Sequence, residues 1–214
     1  MNNYILKCAI VAITLMSSAL TTLAQDQDDI DYDLIKIRLA QQVAQMNDYV
    51  SFMADKKIML QDRREYKQDA ENLFIEDCNA FDEIIQYKDG SKRRITREGV
   101  TMQTISLRSK RTTTMLMKDY FERVINFKYQ SVTIETTSID AMYVSKLQPT
   151  DDGKYICSVY FDQAFVGRRA DGGVYKDMTR KWVVCHVEVQ TMLDGTNEYI
   201  VELGDVFVDS VRPL

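Results

Sequence analysis

Apolar residues recur at helical spacing between Tyr32 and Ala54. Their steps of three and four positions place them on one face of a helix; they are Ile35, Leu39, Val43, Met46, Val50 and Met53. The pattern predicts one amphipathic helix of about six turns with a single face to bury. Acidic residues just before Tyr32 favour a helix N-terminus there.

Shorter helical patterns follow. Residues 62–78 are predicted to form a second helix. Its buried side would contain Tyr66, Ala70, Leu73 and Phe74, and its basic residues Arg63, Arg64 and Lys67 would point outward. Residues 113–127 predict a third helix. Between them, residues 79–99 have weak periodicity around a Lys-Asp-Gly-Ser turn and are expected to be mostly loop, and residues 100–107 are expected to be a strand.

The C-terminal half changes to the period of β-strands. Four runs rich in Val, Ile, Thr, Tyr and Phe cover residues 129–147, 154–166, 174–191 and 198–211. The separators contain Asp-Gly or Gly-Gly and predict hairpins, so neighbouring strands should be antiparallel. Because the runs exceed the usual strand length of about 5–6 residues, they predict a strongly curved sheet with bulges.

Strand alternation gives a register for two cysteines. Tyr155, Cys157, Val159, Phe161 and Phe165 share one face of the second run, and Val183, Cys185, Val187 and Val189 share one face of the third. A hairpin centred near Asp171 places Cys157 opposite Cys185. Both a strained cross-strand disulfide and a pair of buried thiols are compatible with this register. The chain contains no CxxC and no Cys/His cluster of zinc spacing, so no metal site is expected.

The first residues have the pattern of a cleavable signal peptide. Lys7 precedes an apolar run, and a small and polar stretch ends at Ala24. We expect residues 1–24 to be removed, residues 25–214 to form a single domain, and the protein to be periplasmic or secreted. An uncleaved anchor is the alternative, although the apolar run is short for a membrane span. Cys8 precedes or begins that run, which argues against lipidation.

Composition agrees with a globular domain. Hydrophobic residues make up 45% of the chain and charged residues 28%, with only 2 Pro. Removal of the leader would give a net charge of about −6, which argues against a dedicated nucleic-acid binder. No integral membrane segment is expected after cleavage.

The order helix, helix, strand, helix and four long strands resembles the nuclear transport factor 2-like fold. This superfamily is also described as SnoaL-like, ketosteroid-isomerase-like and cystatin-like. The resemblance implies an α+β fold in which a curved antiparallel meander sheet forms a cone around the N-terminal helices. It also implies a possible homodimer through the sheet. A helical hairpin on an open meander sheet is the competing architecture.

Short runs also resemble exported, uncharacterised proteins of Bacteroides-type bacteria. They include Asn72-Leu-Phe-Ile75, Phe161-Asp-Gln-Ala-Phe-Val-Gly167 and Leu203-Gly-Asp-Val-Phe207. This resemblance implies the same compartment and no known activity.

Catalytic members of the resembled superfamily use an Asp or a His-Asp pair in the mouth of the cone. The candidates here are His186, which is the sole histidine, Asp162 and Glu188. Their spacing matches no catalytic motif, so no family residue can be carried over. Trp182 shares a strand face with His186 and is a candidate for contact with a ligand or partner.

A basic segment between residues 88 and 111 supplies further binding candidates. Arg93, Arg94 and Arg97 lie in it with few acidic residues nearby. In an exported protein, acidic glycans or an acidic partner would be more natural ligands for these residues than nucleic acid; the alternative is that they are solvated loop charges that offset an acidic domain.

Two functions follow from these observations. The first is a non-catalytic exported module, without a cofactor, that binds a small apolar ligand or another envelope protein. The second is a small acid/base enzyme of isomerase, dehydratase or hydrolase type that uses the pocket of the cone. The absence of a catalytic spacing favours the first.

Overall fold

A computed structural model describes residues 30–87, 89–136 and 141–214. Residues 35–214 form one compact unit. The predicted signal peptide lies outside the described residues. In the part of the chain that is described, no helix combines the length and apolar character needed to cross a membrane.

Three α-helices are present. Helix α1 covers Tyr32–Ala54, as the periodicity predicts, and α2 and α3 cover Leu60–Glu71 and Met117–Ile125. The backbone N–H of Leu34 donates to Asp31 Oδ1 at 2.9 Å, so an acidic side chain satisfies one of the free donors of the first turn of α1.

The strands form one large sheet and one separate hairpin. The hairpin consists of β1 (Phe81–Gln86) and β2 (Lys92–Arg97). The sheet has the order β4-β3-β10-β9-β8-β5, and two short strands, β6 and β7, also pair with β8. Its strands are β3 (Thr101–Ile105), β4 (Thr112–Leu116), β5 (Ser131–Thr136), β6 (Tyr143–Val144), β7 (Gln148–Pro149), β8 (Tyr155–Arg168), β9 (Val174–Thr191) and β10 (Asn197–Pro213).

The fold is therefore α+β with a mixed sheet that is not closed. Strand β10 pairs parallel with β3, whereas the other strand pairs of this sheet within the described residues are antiparallel. Within the described residues the two edge strands, β4 and β5, do not pair with each other. The predicted antiparallel meander holds for β8, β9 and β10.

Helix α1 packs on one side of this sheet, which we call the inner face. The predicted apolar stripe of α1 is at most 2% exposed, and Ser51 and Gln42 of the same helix bond to the backbone of Ile134 and Val201. From β8 and β9 the inner face contributes Cys157, Val159, Val183, Cys185 and Val187. Burial of these groups supplies the main driving force for folding, at about 25 cal/mol per Å² of apolar surface.

The second helix ends earlier than predicted. It stops at Glu71, and residues Ile75–Cys78 form a short 3₁₀ segment. Phe74 makes a parallel bridge with Leu203, and Leu203 N–H donates to Leu73 O at 2.8 Å. These contacts hold the chain extended where helical periodicity alone would continue the helix. The outward orientation predicted for Arg63 is also wrong, since its guanidinium is buried and donates to Ile125 O at 3.0 Å.

Three other boundaries differ from the predictions. Residues 79–99 form the β1–β2 hairpin rather than a loop, because ion pairs rather than an apolar face stabilise it. The third helix begins at Met117, since the β-branched run Thr112–Thr114 pairs with β3. The predicted first long strand, residues 129–147, contains two separate strands, β5 and β6, and β7 follows it directly; these strands pair with successive parts of β8.

The predicted register of the central hairpin is confirmed. Cys157 lies opposite Cys185 and Val159 lies opposite Val183. The predicted bulges occur in β10, where the register shifts between Leu203 and Val206 and again between Val208 and Ser210. Both cysteines carry free thiols in this structure.

Candidate ligand-binding site

A row of polar side chains continues the inner face of β9. Because side chains on a strand alternate, the positions that precede Val183 on its face are Lys181, Thr179, Asp177 and Tyr175. The first three are only 6%, 8% and 7% exposed. We call these four residues the polar row.

Asp177 accepts two hydrogen bonds within the polar row. Tyr175 Oη donates to Asp177 Oδ2 at 2.6 Å, and Thr179 Oγ1 donates to Asp177 Oδ1 at 3.4 Å. Burial and this hydrogen bond to the Asp177 carboxylate raise the pKa of Tyr175, so its phenol remains a donor at neutral pH.

Lys181 lies in an apolar part of the interior. Its neighbours in register are Phe161 on β8 and Val208 on β10. Among the described residues its ammonium has no hydrogen bond and no ion pair within 4.0 Å. Burial lowers the pKa of Lys181 to about 8, and the negative charge of Asp177 opposes that shift only in part.

A second polar contact joins α1 to the sheet next to the polar row. Gln163 Nε2 donates to Asn47 Oδ1 at 2.5 Å, and both side chains are buried. Gln163 lies opposite Thr179 in the β8–β9 register. Asn47 Nδ2 has no hydrogen-bond partner among the described residues. A buried donor without a partner costs free energy, so it calls for an acceptor that a ligand or water could supply.

An open cleft of about 440 Å³ lies between α3 and the β3–β4 edge of the sheet. Six residues line it: Thr104, Met115, Tyr120, Arg123, Asn126 and Phe127. Thr104, Met115, Tyr120 and Phe127 are partly or fully buried, whereas Arg123 and Asn126 are exposed. Burial raises the pKa of Tyr120 to about 12, so this phenol is neutral.

The strand register relates the cleft to Lys181. Val206 pairs with Met102 in the parallel β10–β3 contact, which places Thr104 beside Val208 by alternation. Val208 in turn is the partner of Lys181 on β9. Two strand spacings, about 10 Å, therefore separate the backbones at Thr104 and Lys181 along one row of the inner face. On the other side, Phe127 packs edge-on against Phe165 at 6.4 Å, and Phe165 lies opposite Asp177.

The catalytic candidates from the sequence do not converge. Asp162 accepts a hydrogen bond from Arg180 Nε at 2.9 Å and lies 3.7 Å from Arg212 Nη2. Glu188 pairs with Lys154 at 3.1 Å. Asp162 lies opposite Arg180, six positions along β9 from His186, which corresponds to about 20 Å.

His186 itself lies on the face opposite the polar row, which we call the outer face. It is half-buried, and burial lowers its pKa, so the imidazole is neutral at neutral pH. Glu188 on the same face has its carboxylate bonded to Lys154 and Gln190. This arrangement supplies no activated acid/base pair at His186.

The basic candidates are mostly paired with acids. Arg97 bonds to Glu83 at 3.0 Å and to Asp205 at 2.7 Å, and these carboxylates raise its pKa. Arg94 pairs with Asp82 at 3.1 Å. Arg93 is exposed on β2, and Lys88 lies outside the described residues.

Trp182 belongs to an aromatic stack on the outer face. Its ring stacks on Phe207 at 4.0 Å with an interplanar angle of 14° and on Tyr160 at 6.0 Å with an angle of 25°. Tyr143 continues the series beside Tyr160. Because the rings cover each other's faces, the stack presents mainly ring edges to solvent, and Trp182 offers little free face for a ligand.

The residues of the polar row were missed because they are polar at positions expected to be solvated. The alternation of the strand could have revealed them. Every second residue from Tyr175 to Val187 lies on the same face, so the four polar residues share the buried face of Val183, Cys185 and Val187. Within residues 30–87, 89–136 and 141–214, no group of three or more His, Cys, Asp or Glu side chains could hold a metal ion.

No protein-family model, curated protein or solved structure matches this chain.

Proposed function

We propose that this protein is an exported, non-catalytic binding module that holds a small, mainly apolar ligand in the cleft beside the polar row. The observation that carries the proposal is the cleft itself. Its volume of about 440 Å³ lies in the range of about 300–1,000 Å³ typical of small-molecule sites. Apolar groups of Met115, Tyr120 and Phe127 line it, and polar side chains that could orient a ligand lie close by.

The fold family and the compartment are part of this proposal. A long first helix packed on long antiparallel strands supports a nuclear transport factor 2-like cone, in which a pocket at this position would be expected. The leader pattern of residues 1–24 supports export to the periplasm or beyond, and the short runs quoted above support a Bacteroides-type source. A homodimer through the sheet and an envelope-protein partner for the sheet or basic hairpin remain compatible with it.

The binding proposal is tested with an uncharged apolar dye, N-phenyl-1-naphthylamine, whose fluorescence rises in apolar surroundings. We expect saturable binding to the wild-type protein. The Thr104→Trp substitution should fill the cleft and weaken dye binding at least about tenfold, equal to ~1.4 kcal/mol.

Leu193→Trp is the matched control, because it adds the same indole on the exposed β9–β10 turn. Circular dichroism checks that both variants fold. Dye binding that Thr104→Trp leaves unchanged would show that the cleft is not the binding site.

A small acid/base enzyme is the second candidate, and one observation favours it. Asp177 is a buried carboxylate that accepts a hydrogen bond from Tyr175 and lies in a row with Lys181. Any such activity should fall at least about a hundredfold in Asp177→Asn and should survive His186→Gln. Hydrolysis of p-nitrophenyl esters and isomerisation of unsaturated ketones are the assays. Equal losses in both variants would contradict the assignment to the polar row.

A further inference from the structure

Lys181, a largely buried cation on the inner face of the sheet, has no counterion among the described residues. Lys181 is 94% buried by side-chain and backbone area, since 6% of its surface is exposed. Its register neighbours are apolar, and no ion pair to it occurs in the described part of the chain. Transferring an ammonium group from water into such a setting is costly unless a partner compensates for the lost hydration.

The nearest acid in the row does not provide that compensation. Asp177 lies four positions along the strand from Lys181, and its carboxylate already accepts bonds from Tyr175 and Thr179. No Asp177 oxygen lies within ion-pair distance of Lys181 Nζ. The ammonium of Lys181 is therefore left without an ion-pair partner in the described part of the chain.

A second free donor lies in the neighbouring row. Asn47 Nδ2 has no partner among the described residues, and its side chain is held by Gln163. Lys181 is paired with Phe161 on β8, and Gln163 lies two positions further along the same strand. Lys181 and the Asn47 amide held by Gln163 therefore belong to adjacent rows of the inner face, which are about 7 Å apart along the strand. An anionic headgroup with several oxygens would accept from Lys181 and extend toward Asn47.

We propose that Lys181 is the anion-binding residue of this site and that the ligand is an amphiphile with an anionic oxygen headgroup. The headgroup would pair with the Lys181 ammonium, and the apolar chain would extend into the cleft along the row that joins Lys181 to Thr104. The inference rests on the proposed binding function. Exposed Arg123 at the cleft is positively charged as well, so the local field also favours an anion.

The test compares ligands that differ in their headgroup alone: decanoate, decyl phosphate, decanol and decyltrimethylammonium. The protein is labelled with ¹³C at the methionine methyls and the lysine ε-carbons, so that Met115 reports on the cleft and Lys181 on the headgroup. We expect decanoate or decyl phosphate to shift both signals and to bind at least about tenfold more tightly than decanol, which corresponds to ~1.4 kcal/mol. The tighter of the two anions identifies the headgroup.

Two variants separate the charge from the fold. Lys181→Met should bind decanol as the wild type does and lose the preference for the anion, whereas Lys181→Arg should retain part of it. Lys154→Met removes a lysine from the salt bridge with Glu188 and should change nothing.

The outcomes distinguish the two proposals. Equal binding of decanol and both anions would overturn the role of Lys181 and leave the cleft as the binding site. An anion that shifts Lys181 without shifting Met115 would support the headgroup contact and overturn the cleft as the binding site. If no ligand shifts either signal, both proposals are wrong.

Discussion

Among single residues, Lys181 has an environment that opposes its ordinary charge state most clearly. A lysine with an ordinary pKa of 10.5 is held where burial lowers the pKa to about 8. Between these two pH values the unfolded chain binds more protons at this residue than the folded chain does. The free energy of unfolding therefore rises with pH across this window, and the cost of the buried ammonium is fully present below it.

We expect Lys181→Met to increase the free energy of unfolding at pH 7. The shift of the pKa from 10.5 to about 8 corresponds to an upper limit of about 3–4 kcal/mol, and this figure already includes the favourable interaction with Asp177. The advantage of the variant over the wild type should shrink as the pH rises from 8 to 10.5. Urea denaturation of both proteins at several pH values measures it. A variant that is less stable than the wild type at pH 7 would show that Lys181 has a compensating partner.

The cysteine pair gives a second prediction at this scale. Both thiols are buried, which limits the access of reagents; burial raises the pKa of the Cys185 thiol, whereas the hydrogen bond with Cys185 lowers that of Cys157. Cβ atoms of directly paired residues are about 4.5–5.5 Å apart, whereas a disulfide prefers about 3.5–4.5 Å. We expect Cys157 and Cys185 to resist iodoacetamide in the native protein and to react in urea without a reductant. Mass spectrometry gives the number of alkylated cysteines, and reaction only after reduction would identify a disulfide.

At the scale of elements, the end of α3 depends on one buried cation. Arg63 Nη1 and Lys56 Nζ both donate to the carbonyl of Ile125, the last residue of that helix, at 3.0 and 2.6 Å. Positive charge near a helix C-terminus is favourable because the last carbonyls lack partners within the helix. The same contact connects α2 with α3.

Arg63→Met should therefore destabilise the protein by about 1–3 kcal/mol, the range for breaking a buried charged hydrogen bond. Arg64→Met is the matched control, since the neighbouring side chain is exposed and should change stability by less than about 0.5 kcal/mol. Urea midpoints of the two variants provide the comparison. Similar midpoints would mean that Lys56 alone is sufficient at the helix end.

Elements with strong periodicity could be predicted from the sequence, and those formed by contacts between distant residues could not. Helix α1 and the β8–β9 register follow from local spacing and from one turn. The end of α2 depends on the bridge between Phe74 and Leu203, and β1–β2 depends on cross-strand ion pairs such as Glu83 with Arg97. Neither contact leaves a hydrophobic period in the sequence.

The candidate site was hidden for a related reason. Polar side chains in a strand are normally assigned to the solvated face, and Lys181 violates that expectation because its burial is imposed by its neighbours on β8 and β10. Candidates such as Asp162 and Glu188 are recognised by residue type, but both are half-buried and the structure engages them in salt bridges.

On the scale of the whole molecule, strand β10 has an unusual combination of positions. It follows every other strand in the chain, yet it lies in the middle of the sheet between β3 and β9. Its contact with β3 joins Val206 to Met102, about half the chain apart. A ribosome must therefore synthesise β10 before the central ladder can assemble, and until then the emerging β8–β9 hairpin has one unpaired edge. Such a nascent chain would present this edge to other chains and to holding chaperones until β10 has been synthesised.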